Sequence, residues 1–227
     1  MKIGIIVAMQ KELKLLLPLV EDRTEKECHG RIVTEGNIGG HNVALMQCGI
    51  GKVNAGVATS DLIDTFCPDI IVNSGVAGGA SKEMHPLDIV MGTGVAYHDV
   101  WCGPETAYGA AAGLTPILLP DSRLIEILKN TIDNPKVKYG LICSGDKFIS
   151  RADEVAAIRK AFPECIAVDM ESGAIAQVAA MRGVPFNVLR VISDTPGEAD
   201  NIAQYEHFWE DAPRESFTLL SSLLAAI

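Results

Sequence analysis

Positive charge is scarce in this sequence. Only 19 Lys and Arg residues oppose 29 Asp and Glu residues, so the 227-residue chain has a formal net charge of -10 at pH 7. A surface of this sign repels phosphate backbones and anionic lipid headgroups. We therefore expect no nucleic-acid partner and no binding to a membrane surface.

Long apolar runs and linkers are also missing. No run approaches the roughly 18 residues that a membrane-spanning helix requires. The first apolar run, residues 2–8, meets Gln10, Lys11 and Glu12 before it reaches the length of a signal-peptide core. No low-complexity segment, internal repeat or Ser- and Pro-rich linker divides the chain. We expect one soluble domain that spans residues 1–227 and a cytoplasmic location.

Metal and cofactor signatures are absent as well. The six cysteines form no C-x-x-C pair and most lie in apolar segments, which indicates reduced core thiols. The segment GIGKVNAG has Asn54 where a dinucleotide fingerprint needs its third glycine, and Val53 where a Walker A loop needs Ser or Thr. We interpret it as a tight strand-to-helix turn, and we expect no metal and no cofactor.

Short strand-like and helix-like segments alternate along the chain. Continuous apolar runs such as residues 2–8 are typical of strands covered on both faces. Strands are predicted at 2–8, 68–75, 87–96, 139–145, 166–170 and 186–193, with a hairpin in 31–51. Helices are predicted near 12–20, where Pro18 shortens the helix, at 52–66 and 171–181, from Asp121 or Ser122, through 155–162, and from about Gln204. This alternation predicts an α/β fold, a three-layer α/β/α sandwich with a central mixed, mostly parallel sheet.

Polar residues and glycines collect at the carboxyl ends of these predicted strands, where such folds bind ligands. The ends carry Glu12, SGVAGG at 74–79, SGDKFIS at 144–150, DMES at 169–172 and SDTPGEADN at 193–201. Most of them bring acids. The pattern therefore predicts a site for a small molecule and not a metal cage.

Glu171 has the clearest case for a functional role. Its neighbours are apolar on both sides, and burying a carboxylate without a partner is costly. The two hydroxyls of a ribose could donate to its two oxygens.

Other residues at the strand ends have ordinary alternatives. Glu12 suits the positive end of a helix dipole, and Asp194 suits the turn before Pro196 and Gly197. The glycines of SGVAGG fit either a ligand-binding backbone or a plain turn. His98 fits an orienting or interface pair better than a base.

Seven motifs in this order and spacing resemble one known family. They are MKIGIIVAMQKE, CGIGKVNA, NSGVAGG, DIVMGTGVAYHD, SGDKFI, AVDMESGAIA and VISD. Over essentially the whole chain they resemble the 5′-methylthioadenosine/S-adenosylhomocysteine nucleosidases of the nucleoside phosphorylase superfamily. The resemblance implies a homodimer of α/β/α subunits that uses water to cleave adenine from 5′-thio-substituted adenosines.

The resemblance also implies roles for individual residues. Asp194 would handle the proton at adenine N7, Glu12 would activate water, and Glu171 would bind the ribose hydroxyls. Phe148 would stack on adenine while the backbone of Ile149 reads its edge, and Ser193 would support the purine end. An apolar slot for the 5′-alkylthio group would be lined by Met9, Ile50, Met170 and Phe208.

One motif departs from the family pattern. Val76 stands where many relatives place a hydroxyl residue, so a side-chain hydrogen bond from this position is lost. Backbone contacts at Ala77 and Gly78 would persist. The resemblance further implies that the loop after the strand at 87–96, residues 98–108, lies at the dimer interface and helps to build the partner's pocket.

Three alternatives stay open at this stage. A purine nucleoside phosphorylase would need cations for phosphate, and the first half of the chain offers only Arg23 and Arg31, both in a turn and hairpin region. A nucleoside-binding protein without catalysis would be expected to lack Glu12 or Asp194. An aminodeoxyfutalosine nucleosidase would use the same residues on a different 5′ substituent.

Overall fold

The computed structural model describes residues 1–111, 113–198, 200–211 and 222. The strands are β1 (Lys2–Val7), β2 (Glu21–Cys28), β3 (Arg31–Ile38), β4 (His41–Gln47), β5 (Ile70–Gly79), β6 (Ile89–Tyr97), β7 (Ile117–Leu118), β8 (Val137–Ser144), β9 (Cys165–Asp169) and β10 (Phe186–Asp194). The helices are α1 (Gln10–Leu16), α2 (Lys52–Phe66), α3 (Ser122–Thr131), α4 (Ala152–Ala161), α5 (Ser172–Met181) and α6 (Asn201–Asp211), with a 3₁₀ turn at Leu17–Leu19.

The strands form one mixed sheet. Its order is β10-β6-β8-β9-β5-β1-β4-β3-β2, and β7 pairs with β6. Because β10 also pairs with β5, the strands β5, β10, β6, β8 and β9 close on themselves. Among the described strands, parallel pairs such as β1–β5 and β5–β10 are matched by antiparallel pairs such as β3–β4 and β6–β10. The sheet is therefore mixed as expected, although parallel pairs do not predominate.

Helices cover both faces of this sheet. Strand β1 shows the division, because Ile6 packs into the core beneath α2 and α5, whereas Ile3 and Ile5 pack into the core beneath α1 and α3. Alternate side chains of a strand point to opposite faces. The three-layer sandwich predicted from the alternation of strands and helices is thus confirmed.

Four local expectations were wrong. The charged segment of β2 was not predicted as a strand, and the two-residue β7 was also missed. Strand β5 continues through the glycines to Gly79 instead of ending at Gly75. Cys67 and Cys102 are exposed, whereas the other four cysteines are buried.

The described helices are short. None of them is long and apolar enough to cross a lipid bilayer.

Candidate active site

A cleft of about 600 Å³ opens where the carboxyl ends of β1, β9 and β10 meet the second half of β5. It brings together all but one of the residues predicted for the site: Met9, Glu12, Ile50, Val76, Ala77, Gly78, Phe148, Ile149, Met170, Glu171, Ser193 and Asp194. Residues far apart in sequence meet here because β1, β5 and β10 run parallel, whereas β9 runs antiparallel to β5 and brings its carboxyl end to the second half of that strand.

Glu12 lies in the first turn of α1 and is almost fully buried, with 1% exposure. Its Oε2 accepts hydrogen bonds from the N–H groups of Ala8 and Met9, both at 2.8 Å, and its Oε1 accepts one from Val76 N–H at 3.0 Å. Burial raises the pKa of Glu12, while Arg190 and these three amides oppose the rise. The carboxyl group is thus fixed in place and has an increased basicity.

The glycine-rich stretch of β5 does not form the plain turn, and Val76, Ala77 and Gly78 line the cleft. It remains in the sheet, where Gly75 pairs with Arg190 and Gly78 pairs with Asp194. A Cβ atom on Gly75 would lie 2.6 Å from Glu12 Oε1 and closer still to Arg190 Nη1. The missing side chain of Gly75 therefore allows these two groups to approach the same point.

Arg190 is the cation of the site, and its guanidinium is fully buried. Nε donates to Asp169 Oδ2 at 2.8 Å, and Nη2 donates to Asn73 Oδ1 at 2.6 Å. Nη1 has no hydrogen-bond partner among the described residues. Burial alone would lower the pKa of Arg190, but the carboxylates of Asp169, Glu171 and Glu12 raise it, so the group stays charged.

Glu171 is the N-cap residue of α5 and is 5% exposed. Its Oε1 accepts a hydrogen bond from Gly51 N–H at 2.9 Å, and Oε2 lies 3.9 Å from Arg190 Nη2. Burial raises the pKa of Glu171 to about 7, with Arg190 opposing the rise and Asp169 adding to it. Both oxygens of the Glu171 carboxylate can therefore still accept hydrogen bonds from hydroxyl groups in the cleft.

Asp194 ends β10 and is 2% exposed. Ser193 Oγ donates to its Oδ1 at 2.6 Å, and Asn201 Nδ2 donates to its Oδ2. Burial raises the pKa of Asp194 to about 6, although both hydrogen bonds oppose the rise. The raised pKa that a proton-donating role requires is thus produced by burial, without a neighbouring acid.

Aromatic and thioether groups form the apolar side of the cleft. The rings of Phe148 and Tyr205 meet edge to face with centroids 5.6 Å apart, and Tyr205 Oη donates to Met9 Sδ at 3.4 Å. Phe148 is 45% exposed, which leaves a ring face available for stacking against a planar ligand.

Phe208 is the one predicted residue that the structure places elsewhere. It is buried in the core formed by β1, α1 and α3, against Trp209, and Tyr205 of the same helix lines the cleft instead. A three-residue step turns the side chain by about 60° around the helix axis, which separates Phe208 in the core from Tyr205 at the cleft.

Three contributors were not predicted from sequence. Asn201 holds Asp194, Tyr205 lines the cleft, and Arg190 lies among the acids. An arginine inside an apolar strand is the one signal that was available, since such a buried charge needs partners. His98 is buried outside the cleft lining, and burial lowers its pKa.

Comparison with known proteins gives consistent matches over the full length. A sequence model of the phosphorylase superfamily matches residues 2–225. The 5′-methylthioadenosine/S-adenosylhomocysteine nucleosidase of Actinobacillus succinogenes is 39% identical, and the alignment covers 100% of both chains.

Solved structures agree with these sequence matches. A nucleosidase of the same name from Streptococcus pneumoniae, with the transition-state inhibitor MT-ImmA, has a TM-score of 0.95 at 33% identity and covers 100% of this chain and 99% of its own. The Colwellia psychrerythraea nucleosidase in complex with adenine has a TM-score of 0.94 at 35% identity, covering 100% and 95%.

A further structure carries a different name. The futalosine hydrolase of Helicobacter pylori has a TM-score of 0.92 at 26% identity, and the match covers 100% of this chain and 98% of that one. Its identity is lower than that of the nucleosidases, which match this chain in both sequence and structure. The chain therefore belongs to the 5′-methylthioadenosine/S-adenosylhomocysteine nucleosidase family of the phosphorylase superfamily.

Proposed function

We propose that this protein hydrolyses the N-glycosidic bond of 5′-methylthioadenosine and S-adenosylhomocysteine, and also of 5′-deoxyadenosine. The products are adenine and the corresponding 5-substituted ribose. The observation that carries this proposal is the set of three buried carboxyl groups, Glu12, Glu171 and Asp194, around one cleft. Full-length relatives named for these nucleosides support the choice of substrate.

Asp194 is the proposed proton donor to adenine N7. Protonation turns a poor anionic leaving group into neutral adenine as the glycosidic bond stretches, and a positioned acid of this kind contributes about 10²- to 10⁴-fold. Its pKa of about 6 keeps part of the population protonated near neutral pH. Ser193 and Asn201 fix the orientation of the carboxyl group.

Glu12 is the proposed base that activates water. Three backbone amides hold its carboxylate, and the free Nη1 of Arg190 lies beside the same point near Gly75. Water bound between these two groups would be oriented by a donor and an acceptor. The side chain of Val76 adds no hydroxyl to this set, so its N–H takes part only by holding Glu12.

Glu171 is the proposed ligand of the ribose hydroxyls. As the bond breaks, the sugar becomes a cation of oxocarbenium character, which nearby carboxylates stabilise. Phe148 would stack on adenine, with the Ile149 backbone at its edge, and Met9, Ile50, Met170 and Tyr205 would surround the 5′ substituent. Thioether and aromatic surfaces suit an alkylthio group.

Water fits this cleft better than phosphate as the attacking group. Lys147 is the one cationic side chain on the described lining, and its Nζ pairs with Glu154 Oε1 at 2.5 Å. Arg190 is fully buried, and its charge faces those of Asp169, Glu171 and Glu12. A phosphate would meet Glu12 and Glu171 with little positive charge to offset the repulsion.

We further infer that residues 1–227 form one catalytic domain and that two copies associate as a cytoplasmic homodimer active in methionine salvage and removal of methyl-cycle by-products. Large apolar side chains are exposed on α2 at Val53 and Val57 and in the 98–108 loop at Trp101. Exposed apolar groups of this size favour association. The names of the relatives give the two nucleosides that this metabolic role would consume.

Aminodeoxyfutalosine hydrolysis is the second candidate. The similarity of the futalosine hydrolase structure favours it, since the fold accommodates both 5′ substituents. A direct comparison of kcat/KM for methylthioadenosine and aminodeoxyfutalosine with the purified protein distinguishes the two.

The first experiment measures adenine release from 5′-methylthioadenosine in phosphate-free buffer and again with added phosphate. We expect free methylthioribose at a rate that phosphate does not change. A requirement for phosphate with a sugar 1-phosphate product would identify a phosphorylase and overturn the role given to Glu12.

A further inference from the structure

A cluster of one lysine and two acids lies beside the cleft without touching the proposed reacting groups. Lys52 Nζ donates to Asp99 Oδ2 at 2.8 Å and lies 4.0 Å from Asp146 Oδ2. The backbone N–H of Asp146 donates to Asp99 Oδ2, also at 2.8 Å. Since Lys52 begins α2, Asp99 follows β6 and Asp146 follows β8, the cluster joins three separate segments.

Asp146 provides the cap that α2 lacks in its own sequence. The N-cap residue of α2 is Gly51, which has no side chain, and the first turn contains no acid. Instead, Asp146 Oδ1 accepts a hydrogen bond from Lys52 N–H at 2.7 Å. An acceptor at this position satisfies one of the free amides at the helix start and adds a negative charge at its positive end.

The same contact reaches the proposed ribose ligand through one residue. Gly51 has a φ of +93°, and a Cβ atom there would lie 3.0 Å from Asp146 Oδ1, so the carboxylate covers Gly51. The N–H of Gly51 donates to Glu171 Oε1 at 2.9 Å. The direction of this N–H depends on the backbone at Gly51 and Lys52, and Asp146 holds that backbone through the Lys52 N–H.

We propose that Asp146, supported by Asp99 and Lys52, is a positioning residue that orients the Glu171 carboxylate toward the sugar hydroxyls. The inference rests on the proposed function, because it assigns Glu171 to the ribose. Asp146 acts through the backbone of Lys52 and Gly51 and does not line the cleft. Its loss weakens binding of ligands that carry the two hydroxyls and leaves binding through the base unchanged.

The test compares Asp146→Ala with the wild type on two ligands. For 5′-methylthioadenosine we expect KM to rise roughly three- to tenfold, the range expected for loss of a capping hydrogen bond, while kcat changes less than threefold. For the 2′,3′-dideoxy analogue, used as a competitive inhibitor, we expect an inhibition constant within twofold of the wild type. A merely structural defect would weaken both ligands equally, and that result would overturn the proposal.

Two further variants separate the hydrogen bond from the charge. Asp146→Asn keeps the acceptor oxygen and is expected to restore KM to within twofold of the wild type; a KM as high as that of the alanine variant would overturn the proposal. Asp153→Ala is the matched control, because Asp153 is an exposed acid in the first turn of α4 whose one ion pair among the described residues is with neighbouring Arg151 at 2.9 Å. Its KM should stay at the wild-type value.

The outcomes also distinguish this inference from the proposed function. If the wild-type protein releases no adenine, both the proposed function and the positioning role of Asp146 are refuted. Active wild type with an unchanged KM in Asp146→Ala overturns only the positioning role. If Asp146→Ala does not fold, Asp99→Ala takes its place, because Asp99 accepts a hydrogen bond from the Asp146 N–H. We expect a smaller rise in KM for 5′-methylthioadenosine and again no change in the inhibition constant of the dideoxy analogue.

Discussion

At neutral pH, ionisation of the buried Asp194 carboxyl group lowers the stability of the folded protein. Its pKa rises from 3.8 to about 6 on folding because burial disfavours the charged form. Between these two values the folded protein binds more protons than the unfolded chain, so stability falls as the pH rises through this range. The stabilising effect of the protonated group is complete below about pH 4 and is lost above about pH 6.

Replacing Asp194 with asparagine should therefore stabilise the protein at neutral pH. We expect Asp194→Asn to increase the free energy of unfolding by about 1–2 kcal/mol at pH 7.5, part of the gain being lost because an amide fits the Asn201 contact less well. The gain should shrink at pH 4.5. Urea unfolding at both pH values measures it, with the exposed Asp133→Asn as a control, and an equal effect at the two pH values would contradict the prediction.

The same variant tests catalysis. We expect Asp194→Asn and Glu12→Gln each to reduce kcat by at least about 10²-fold while nucleoside binding stays measurable, because each removes a proton-transferring group and keeps its shape. Adenine release and equilibrium binding of a slow substrate measure the two effects. Glu126→Gln, on the exposed side of α3, should retain full activity. Near wild-type turnover of either site variant would refute the role of that residue.

Glu171 should affect binding and rate together. Its carboxylate accepts from hydroxyls in both the substrate and the transition state when it is ionised, so Glu171→Gln should lower kcat/KM about 10- to 100-fold. The same substitution should lower kcat/KM for the 2′-deoxy substrate by a smaller factor, because that substrate already lacks one of the two hydroxyl contacts. Kinetics with the ribo and 2′-deoxy substrates measure this difference, and a 2′-deoxy substrate that the wild type cleaves as well as the ribo form would exclude the ribose contact.

Glu171 could be predicted from sequence because it interrupts an apolar segment, whereas the roles of Glu12 and Asp194 were implied by the family resemblance. The partners of these acids could not be predicted. Asn201 lies seven residues beyond Asp194 in a polar turn region, and nothing in that region marks one amide above another. Arg190 contacts residues 21 and 117 positions away, a relation that depends on the order of strands in the sheet.

At the scale of elements, the glycines of β5 explain why the second half of this strand was not predicted. Glycine is poor in strands, so the predicted strand ended at Gly75, yet the segment to Gly79 pairs with β10 and β9. Two neighbouring strands supply the hydrogen bonds that the weak local preference lacks. The edge strand β2 escaped prediction for a different reason, since its side chains are almost all exposed and show no apolar alternation.

A methyl group on β5 should disable the site. In Gly75→Ala the new Cβ would collide with Arg190 and Glu12, so we expect kcat to fall at least about tenfold and stability to fall by about 1–3 kcal/mol. Kinetics and urea unfolding measure both.

A second glycine provides the matched control. Gly56 lies inside α2, and a Cβ there would meet only Val178 at 3.7 Å. Gly56→Ala should keep full activity and gain up to about 1 kcal/mol of stability, because alanine favours a helix. Equal activity in the Gly75 and Gly56 variants would show that the close approach beside Gly75 has no role.

At the scale of the whole molecule, the closed group of strands explains why a site of three acids is so well buried. Strands β5, β9 and β10 belong to this group. Glu171 follows the end of β9, Asp194 ends β10, and Val76 in the second half of β5 holds Glu12 through its N–H. Helices on both faces then exclude water from the carboxyl groups, which raises their pKa values. The fold class was predictable from alternating apolar segments, whereas the closure depends on the β5–β10 pairing, which local patterns do not encode.

Assembly is the last property to test at this scale. Val53 is 77% exposed and lies one helical turn from the exposed Val57 on α2, just after the Gly51 that holds Glu171. A charge placed within a buried apolar interface is costly, so Val53→Asp should convert a homodimer of twice the 24.2 kDa chain mass into monomers at micromolar concentration. Sedimentation velocity measures the mass, with Ile32→Asp on the exposed face of β3 expected to remain dimeric.

If the 98–108 loop completes the partner's pocket, adenine release by the Val53 variant should fall with dilution as the dimer dissociates. A monomeric wild type with full activity would exclude the dimer.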